Sequence, residues 1–524
     1  MNSKINIIDL FAGPGGLGEG FSSYISKGET PFRIRMSVEK EQSAHKTLTL
    51  RAFYRLLRAE GRTKPYFDYV EGRISKDEMI EQCPEHWAEA TAETMEVPTE
   101  LGKDNERIHA QLKQLKKVHK NEPWVVIGGP PCQAYSLVGR ARNKGNSDYV
   151  AEEDARHFLY KEYLQVLSII EPDVFVMENV KGILSAKLNG ENIFPKILTD
   201  LENPKYTIQH KKNSRNYTIY SFVQNQEEND LLDTTSEKTR DYVIRTENYG
   251  IPQTRHRVIL LGIASDLDKI PSTLEKQPQV PIESILQGLP HLRSKLSKEE
   301  DTPENWKNIV EQNYNQVRKE FKNNKSYENV LNAMGEAIAN LQYSAPTKSN
   351  QYQRPEISTQ APINLRHWLT KERPKKVLNH EARGHMNSDL GRYLYSACWA
   401  LPNVNGNKAK PFPKSEDYPE VLAPAHANWK SGKFADRFRV QRQGRPATTV
   451  TSHISKDGHY FIHPDPTQCR SLTVREAARI QTFPDNYFFE GNRTEQYVQV
   501  GNAVPPFLAV QLAAIVYKYF KIHG

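Results

Sequence analysis

Short apolar runs alternate with amphipathic segments along the first half of the chain. The runs predict strands at residues 5–12, 32–38, 125–127, 173–177 and 257–264. One intervening segment keeps its apolar residues at helical spacing, at Leu159, Tyr163, Val166, Leu167 and Ile170. Strands that alternate with helices predict an α/β fold with a doubly wound, mainly parallel sheet, which binds ligands at the carboxyl ends of its strands.

Two stretches interrupt this pattern. Residues 75–121 are charged and predict helices without a catalytic grouping, and residues 265–439 loosen into charged, Asn/Lys-rich and Pro/Gln-rich segments. The strongly apolar segment 505–517 begins with proline and predicts a helix buried against the first domain. We therefore divide the chain into the first part of a large domain, a second, smaller domain and a return to the first, at residues 1–264, 265–469 and 470–524.

Composition narrows the class of protein. The 524 residues carry a formal net charge of +8, which weakly favours a polyanionic partner. Four cysteines without a CxxC pair give neither a disulfide framework nor a zinc motif, so we expect no metal site. No signal-peptide core and no run of 18 uncharged apolar residues occur. We expect a soluble protein in the cytoplasm, without membrane contact.

A glycine-rich segment follows the first predicted strand. It reads Phe-Ala-Gly-Pro-Gly-Gly-Leu-Gly, and Gly13, Gly15 and Gly18 match the GxGxxG spacing that lets a nucleotide approach the backbone. Glu39 ends the second predicted strand, where an acid can accept hydrogen bonds from a ribose diol. A dinucleotide dehydrogenase fits this pair equally well, and a tight turn without a ligand also explains the glycines. The pair predicts a nucleoside-type cofactor without saying which one.

Cys132 directly follows Pro130 and Pro131 at the end of an apolar run. A free cysteine is commonly buried, but two prolines also fix the direction of a nucleophile. Parallel topology places Cys132, Glu178 and the glycine loop on one rim of the sheet, and an acid and a thiol beside a cofactor form a catalytic arrangement.

Two arginines lead into the last predicted strand. Arg255 and Arg257 face one side by the period of two, which suits binding of a base carbonyl or a phosphate. An exposed edge strand is the alternative.

Six motifs occur in the order in which the DNA (cytosine-5)-methyltransferases carry them. They are Phe-Ala-Gly-x-Gly-Gly, Pro-Cys-Gln, Glu-Asn-Val, Gln-x-Arg-x-Arg, Arg-x-Leu-Thr-x-Arg-Glu-x-Ala-Arg-x-Gln-x-Phe-Pro and Gly-Asn-Ala-Val-Pro, at residues 11–16, 131–133, 178–180, 253–257, 470–484 and 501–505. The chain resembles this family from end to end. The resemblance implies a Rossmann-like, class I S-adenosylmethionine-dependent catalytic domain, with a target-recognition region in the variable stretch 265–439.

The resemblance also implies a covalent mechanism. The thiolate of Cys132 would add to C6 of a flipped-out cytosine, C5 would then take the methyl group of S-adenosylmethionine, and elimination would release 5-methylcytosine and S-adenosylhomocysteine. Glu178 would hold N3 and the exocyclic amine of the base. Arg257 would bind the base O2, with Arg255 in support.

The family pattern assigns a cofactor role to residues at both ends of the chain. They are Phe11, Ala12, Gly13, Pro14, Gly15, Gly16, Glu39, Asn502 and Val504. Glu39 would bind the ribose hydroxyls. One departure stands out, because the family reads the adenine amine with an Asp after its third strand. Here the nearest acid, Asp68, is displaced, and we assign it no role.

The implied substrate is double-stranded DNA at a specific site. Residues 379–385 and 437–442 carry groups able to contact phosphates and base edges. We expect a bacterial enzyme that acts as a monomer on DNA and protects it within a restriction-modification or phage-defence system, with cognate restriction or defence proteins as partners. Three alternatives stay open: a tRNA cytosine-5 methyltransferase, a methylation-silent DNA-binding protein and an NAD-dependent oxidoreductase. The oxidoreductase alternative leaves the Pro-Cys-Gln, Glu-Asn-Val and closing Gly-Asn-Ala-Val-Pro motifs unexplained.

Overall fold

Strands and helices alternate as the apolar pattern predicts. A computed structural model of the protein describes residues 4–131, 155–188, 191–210, 215–223, 242–267, 270–353, 357–405, 413–425, 429 and 437–523. The strands are β1 Ile5–Leu10, β2 Phe32–Val38, β3 Trp124–Gly128, β4 Val174–Val180, β5 Lys187–Leu188, β6 Glu191–Asn192, β7 Tyr217–Ser221, β8 Val243–Arg245, β9 Gln253–Thr254, β10 His256–Ala264, β11 Lys295–Leu296, β12 Gly384–His385 and β13 Ala447–Thr448.

The helices in the first half of the chain are α1 Gly16–Ser23, α2 Gln42–Ala59, α3 Lys64–Val70, α4 Lys76–Gln82, α5 Pro84–Glu93, α6 Asn105–Val118, α7 Ala155–Ile170, α8 Phe194–Glu202 and α9 Pro204–Gln209. The helices in the second half are α10 Ile282–Leu286, α11 Pro303–Phe321, α12 Glu328–Ala339, α13 Ile363–Thr370, α14 Asn387–Trp399, α15 Pro402–Asn405, α16 Val474–Ile480, α17 Arg493–Asn502 and α18 Pro506–His523.

The central sheet has the strand order β2-β1-β3-β4-β10-β7, with β8 also paired to β10. The first four strands are parallel, whereas β10 runs antiparallel to both of its neighbours β4 and β7. The prediction of a mainly parallel α/β sheet is confirmed. Because β10 is reversed, its first residues lie beside the last residues of β4, with Arg257 opposite Val180.

Helices cover both faces of this sheet. In β1, Ile5 and Ile7 point to a core shared with α1, α16 and α18, whereas Ile8 and Leu10 point to a core shared with α6, α7 and α8. All four side chains are buried. This two-sided burial explains why β1 reads as a nearly continuous apolar run rather than as a polar/apolar alternation.

The last helix, α18, begins with Pro506 and packs against α1, so the predicted buried helix is confirmed. The contact is so close that a Cβ placed on Gly20 would lie 2.3 Å from the Cβ of Ala509. Among the described residues, Arg493–Phe520 has the length and mean hydropathy (1.5) of a membrane span, but 72% of that apolar window is buried inside the fold. Core packing accounts for its hydrophobicity.

Helices replace a strand between β2 and β3. Every residue of this stretch is described, and it forms only α2 to α6 and their connections. The charged segment 75–121 is helical as predicted. Together α2 to α5 enclose a small core of their own, which includes Phe53, Tyr54, Tyr66 and Met79.

The helical insertion is attached to the second half of the chain by polar contacts. The Tyr54 hydroxyl donates to Glu372 at 2.5 Å, and Lys76 pairs with Glu490 at 3.0 Å. The carboxylate of Glu71 accepts the backbone N–H of Lys375 at 2.9 Å. These contacts hold α2 to α4 against the segments that follow α13 and α16.

A separate apolar core lies in the second half of the chain. It is built from α11, α12 and α14, around residues such as Trp306, Met334 and Tyr393. Residues 274–289 and 357–377 instead contribute to the core of the sheet. The domain boundaries at residues 265 and 469 stay a prediction. Parts of the segment between them pack in the core of the sheet.

The arginine-rich motif 470–484 is buried. Arg479 and Asp485 form an ion pair at 2.8 Å in which both side chains are fully buried. Arg475 donates to the carbonyl oxygens of Leu378 and Pro484 at 2.8 and 3.2 Å. These arginines satisfy loop carbonyls that would otherwise be buried without partners, so they stabilise the fold.

Replacing Arg479 with methionine should lower the free energy of unfolding by about 3–5 kcal/mol, because Asp485 would be left buried without its cation. Urea denaturation of both proteins measures this loss. The matched control is Glu311→Gln in the exposed Lys307–Glu311 pair of α11, whose side chains are 39% and 37% exposed. That change should cost less than about 0.5 kcal/mol. Equal losses in the two variants would contradict a stabilising role for Arg479.

Candidate functional site

A cleft of about 780 Å³ opens at the edge of the sheet where β1 to β4 end and β10 begins. Its walls include the glycine loop, Glu39, Glu178, Arg257 and Asn502. The volume falls within the range of small-molecule and cofactor sites. The carboxyl ends of the parallel strands therefore form the site, as the sequence predicts.

The glycine loop makes a sharp turn from β1 into α1. Phe11, Gly13 and Gly15 all have left-handed backbone conformations, with φ of 53°, 57° and 91°. This conformation strains Phe11 and suits the two glycines. Phe11, Ala12, Gly13, Pro14 and Gly16 line the cleft, whereas Gly15 faces Leu48 and Tyr487 behind it.

The closing motif packs against this loop. A Cβ on Gly16 would lie 2.3 Å from the carbonyl oxygen of Val504, so only glycine allows the two segments to meet. Asn502 and Val504 both line the cleft. The Tyr487 hydroxyl donates to the carbonyl oxygen of Pro14 and holds the loop from behind. The two ends of the chain thus build one wall together.

Glu39 stands at the end of β2 with 8% of its surface exposed. Its carboxylate accepts the backbone N–H groups of Gly13 and Glu41, each at 2.7 Å. Burial raises the pKa of Glu39 above its ordinary value, although these two hydrogen bonds favour the ionised form. The acid is held rigidly beside the glycine loop.

The stiff turn that leads to Cys132 is fixed against β4. The Asn179 amide donates to the carbonyl oxygen of Pro130 at 3.1 Å. A Cβ on Gly129 would lie 2.9 Å from a carboxylate oxygen of Glu178. The Pro-Pro segment and the Glu-Asn-Val motif therefore determine each other's position.

Cys132 itself lies outside the described residues. The cysteines that are described, Cys83, Cys398 and Cys469, are free and buried. These three cysteines are buried, which was the alternative interpretation of Cys132. The catalytic role of Cys132 stays a prediction.

Glu178 and Arg257 form an ion pair across β4 and β10. The Arg257 Nε lies 2.8 Å from Glu178 Oε1, and their side chains are 13% and 15% exposed. Burial lowers the pKa of Arg257, and the Glu178 carboxylate opposes this shift. The pair places a carboxylate and a guanidinium side by side on the cleft wall, where each can reach a polar edge of a ligand.

Arg255 is almost fully buried, at 2% exposure, although its side chain also borders the cleft. It donates to the carbonyl oxygens of Val450 and Gly501 at 2.8 and 3.2 Å. Arg255 and Arg257 both border the cleft, and the expectation that they face the same side stays a prediction. Their contacts differ, because Arg255 joins distant loops while Arg257 pairs with Glu178.

Gln253 is a structural residue that the sequence analysis missed. Its amide donates to Gln481 Oε1 at 2.5 Å, and its side-chain oxygen accepts the backbone N–H of Val450 at 3.1 Å. Gln481 in turn donates to the carbonyl oxygen of Val500 at 2.7 Å. Gln253 is the first residue of the Gln-x-Arg-x-Arg motif. Its neutral side chain did not indicate that it connects four segments of the chain.

Another part of the cleft wall was also missed by the sequence analysis. Thr99, Glu100 and Leu101 line it, and the Thr99 N–H donates to the Glu39 carbonyl oxygen at 2.9 Å. The sequence pattern did not indicate these residues. They follow a helix at the place where the family pattern has a strand. Asp68 lies in α3, pairs with Lys64 and Arg73, and does not line the cleft.

Within residues 379–385, the prediction of a DNA contact is wrong for His380, Arg383 and His385. His380, Arg383 and His385 are buried. Arg383 donates to the carbonyl oxygens of Ile454 and Lys456 at 2.7 and 2.9 Å. Burial lowers the pKa of His380 to about 4, so it is neutral near pH 7. The side chains of His380, Arg383 and His385 therefore belong to the protein interior.

Comparison with known proteins identifies the family. The family model described as C-5 cytosine-specific DNA methylase matches residues 98–225 and 238–518. The chain is 32% identical over 539 residues to the type II methyltransferase M.Bpa9945I of Bacillus paralicheniformis, with 99% of each chain covered. It is 24% identical to the putative type II methyltransferase M.OihORF3336P of Oceanobacillus iheyensis, with 98% of this chain and 95% of the relative covered.

A solved structure agrees in fold. It is a putative DNA modification methyltransferase encoded within a prophage (E. coli), with a TM-score of 0.52 and 18% identity, and 99% of this chain and 100% of that chain are covered. The mainly parallel sheet is thus that of a class I methyltransferase, and the oxidoreductase alternative is wrong. The chain belongs to the C-5 cytosine-specific DNA methylase family and is a DNA cytosine-5 methyltransferase.

Proposed function

We propose that the enzyme methylates cytosine within one specific double-stranded DNA sequence and so protects DNA from a cognate restriction nuclease in the bacterial cytoplasm. The relatives that match almost the whole chain are named type II methyltransferases, which supports this proposal. The observation that carries the chemistry is the Glu178–Arg257 pair, which lies on the cleft wall beside the Pro-Pro turn that precedes Cys132.

The family depends on S-adenosylmethionine, and the residues of the cleft fit this cofactor. The glycine loop lines the cleft and leaves Gly13 and Gly16 without side chains there, and Asn502 and Val504 of the closing motif line the same cleft. We assign the ribose hydroxyls to Glu39, whose carboxylate is already oriented by two backbone N–H groups. When bound, S-adenosylmethionine supplies the methyl group, and its product is S-adenosylhomocysteine.

Glu178 has the chemistry of the group that holds the base. Its carboxyl group can donate a proton to N3 of cytosine while its other oxygen accepts the exocyclic amine. Protonation at N3 withdraws electron density from C6, so the thiolate of Cys132 adds to C6 more readily. The contacts of Gly129 and Asn179 keep this acid in register with the turn that leads to the thiol.

Arg257 supports the same step from the neighbouring strand. Its guanidinium can donate to the base O2, where negative charge grows during thiolate addition. The pairing with Glu178 at 2.8 Å orients the guanidinium before the base arrives. Arg255 acts as a positioning residue, because its donor groups hold the loop at Val450 and the closing motif at Gly501.

Residues 265–439 should set the sequence that is methylated. Exchanging residues 290–353 and 387–439 for the matching segments of a relative should change the DNA sequence that is methylated. Residues 274–289 and 357–377 are kept in the hybrid, because they belong to the core of the sheet. Bisulfite sequencing of DNA from expressing cells reads the site directly. An active hybrid that methylates the original sequence would show that recognition lies elsewhere.

Glu178→Gln should slow methyl transfer by about 10²–10⁴-fold, because the amide keeps the shape of the acid but cannot supply its proton. Single-turnover transfer of labelled methyl groups measures the rate, and cofactor affinity should stay close to that of the unmodified enzyme. Glu202→Gln, at the exposed end of α8, serves as the control and should leave the rate unchanged. An unchanged rate in the Glu178 variant would remove this residue from the mechanism.

DNA with 5-fluorocytosine at the target should trap the enzyme through Cys132. Methyl transfer proceeds on this base, but fluorine cannot leave as a cation, so the final elimination stops and a denaturant-resistant adduct accumulates. Cys132→Ala should abolish turnover and trapping and still bind cofactor. The control Cys83→Ala changes a buried cysteine and should lower stability while keeping the adduct. An adduct that persists in the Cys132 variant would identify another nucleophile.

A further inference from the structure

Gln441 is a fully buried amide that lies between two backbone-paired units of the chain. In the first unit, residues 439–441 run beside residues 459–462. The Arg439 N–H donates to the carbonyl oxygen of His459 at 2.9 Å, and the Gln441 N–H donates to that of Ile462 at 3.0 Å. The second unit is the parallel pairing of β9 with β13. These are the 439–441 unit and the β9–β13 unit.

The side chain of Gln441 joins the two units. Its amide nitrogen donates to the carbonyl oxygen of Tyr460 at 2.9 Å and to Thr448 Oγ1 at 3.0 Å, and its amide oxygen accepts the Thr448 N–H at 2.9 Å. One backbone partner needs a donor and the other needs an acceptor, and a neutral amide supplies both. A carboxylate or an apolar side chain would leave at least one of these backbone groups without its partner.

The β9–β13 unit is tied to the two arginines at the start of β10. The Thr449 hydroxyl, directly after β13, donates to the carbonyl oxygen of Thr254 at 2.6 Å. Arg255 is the next residue after Thr254, and its guanidinium donates to the carbonyl oxygen of Val450 at 2.8 Å. Arg257 follows two residues later as the cation of the ion pair on the cleft wall. The position of β13 therefore constrains the start of β10.

The 439–441 unit and the residues after it are rich in arginine. The Arg439 guanidinium lies over the Tyr460 ring, 5.1 Å from its centroid. Burial and the charge of Arg445 both lower the pKa of Arg442, so these two guanidinium groups lie near each other. Ser452, a few residues further along the chain, lines the cleft. Several positive charges in a segment that leads to the cleft suit the phosphates of a DNA backbone.

We propose that Gln441 is a positioning residue, which holds the arginine segment 439–445 in a fixed position relative to Arg257, so that DNA bound to this segment presents its cytosine to the Glu178–Arg257 pair. Gln441 has no exposed surface, so it acts through β13 and β9 rather than by touching DNA. This inference rests on the proposed function, in which the enzyme acts on double-stranded DNA and Glu178 and Arg257 hold the base.

Gln441→Met keeps the length of the side chain and removes its donor and acceptor. The probe is a duplex that carries the site found by bisulfite sequencing, and active sites are counted by the yield of 5-fluorocytosine adduct. We expect the single-turnover rate of methyl transfer per active site, at saturating DNA, to fall about 10–100-fold, because a small misplacement of reacting groups has this effect. The Kd for DNA should stay within about threefold, since the arginines that contact phosphates are unchanged.

Gln468→Met is the matched control. Gln468 is also a buried amide, which accepts the Leu292 N–H at 3.3 Å and donates to Asp465 at 3.1 Å, but it belongs to neither unit. This variant should melt at a lower temperature and keep its transfer rate per active site. Thr448→Val removes only one hydroxyl and should fold even where Gln441→Met does not. Its transfer rate should fall about two- to tenfold, which corresponds to one lost hydrogen bond.

The outcomes that overturn the proposal are distinguishable. A normal transfer rate per active site in both Gln441→Met and Thr448→Val, or in Thr448→Val alone where the first variant does not fold, would show that Gln441 only stabilises the fold. A loss confined to the Kd for DNA would show that Gln441 shapes the DNA contact and does not align the base. An unmodified enzyme that methylates no duplex would overturn the proposed function, and the role of Gln441 with it.

Discussion

The cleft depends on a small set of buried polar contacts that join segments far apart in the chain. Gln253 and Arg255 stand at the entrance to β10 and together bind the loop at Val450 and the backbone at Gly501. Gln481 extends the connection to Val500. Each contact satisfies a buried backbone group, so none can be removed without leaving an unpaired donor or acceptor. The hydrogen bonds of Gln253, Arg255 and Gln481 therefore fix the positions of the cleft walls.

The sequence predicted the parts of the site that periodicity and spacing encode. The apolar runs located the strands, and Glu178 was predicted to share one rim of the sheet with the glycine loop because parallel strands end at the same edge. The same logic could not give the direction of β10, since an apolar run reads alike in both directions. The reversal of β10, which its antiparallel pairing with β4 shows, brings Arg257 to Glu178.

Other features were hidden because composition does not reveal burial. The segment that contains His380 and Arg383 reads as a polar surface, yet packing turns both side chains inward to bind carbonyl oxygens and a hydroxyl. The arginines of the 470–484 motif are likewise interior. The helices between β2 and β3 could be predicted as helices, but not that they take the place of a strand and present Thr99 and Leu101 to the cleft.

The contact between Gly16 and Val504 has a consequence for biosynthesis. Gly16 is synthesised long before Val504, because most of the described chain lies between them. A contact between such distant positions forms late, since its loop-closure entropy is paid only after the intervening chain has folded. A chain whose synthesis has not yet reached Val504 can thus acquire much of its sheet without completing the cleft, so the cleft forms only after this late segment has been made.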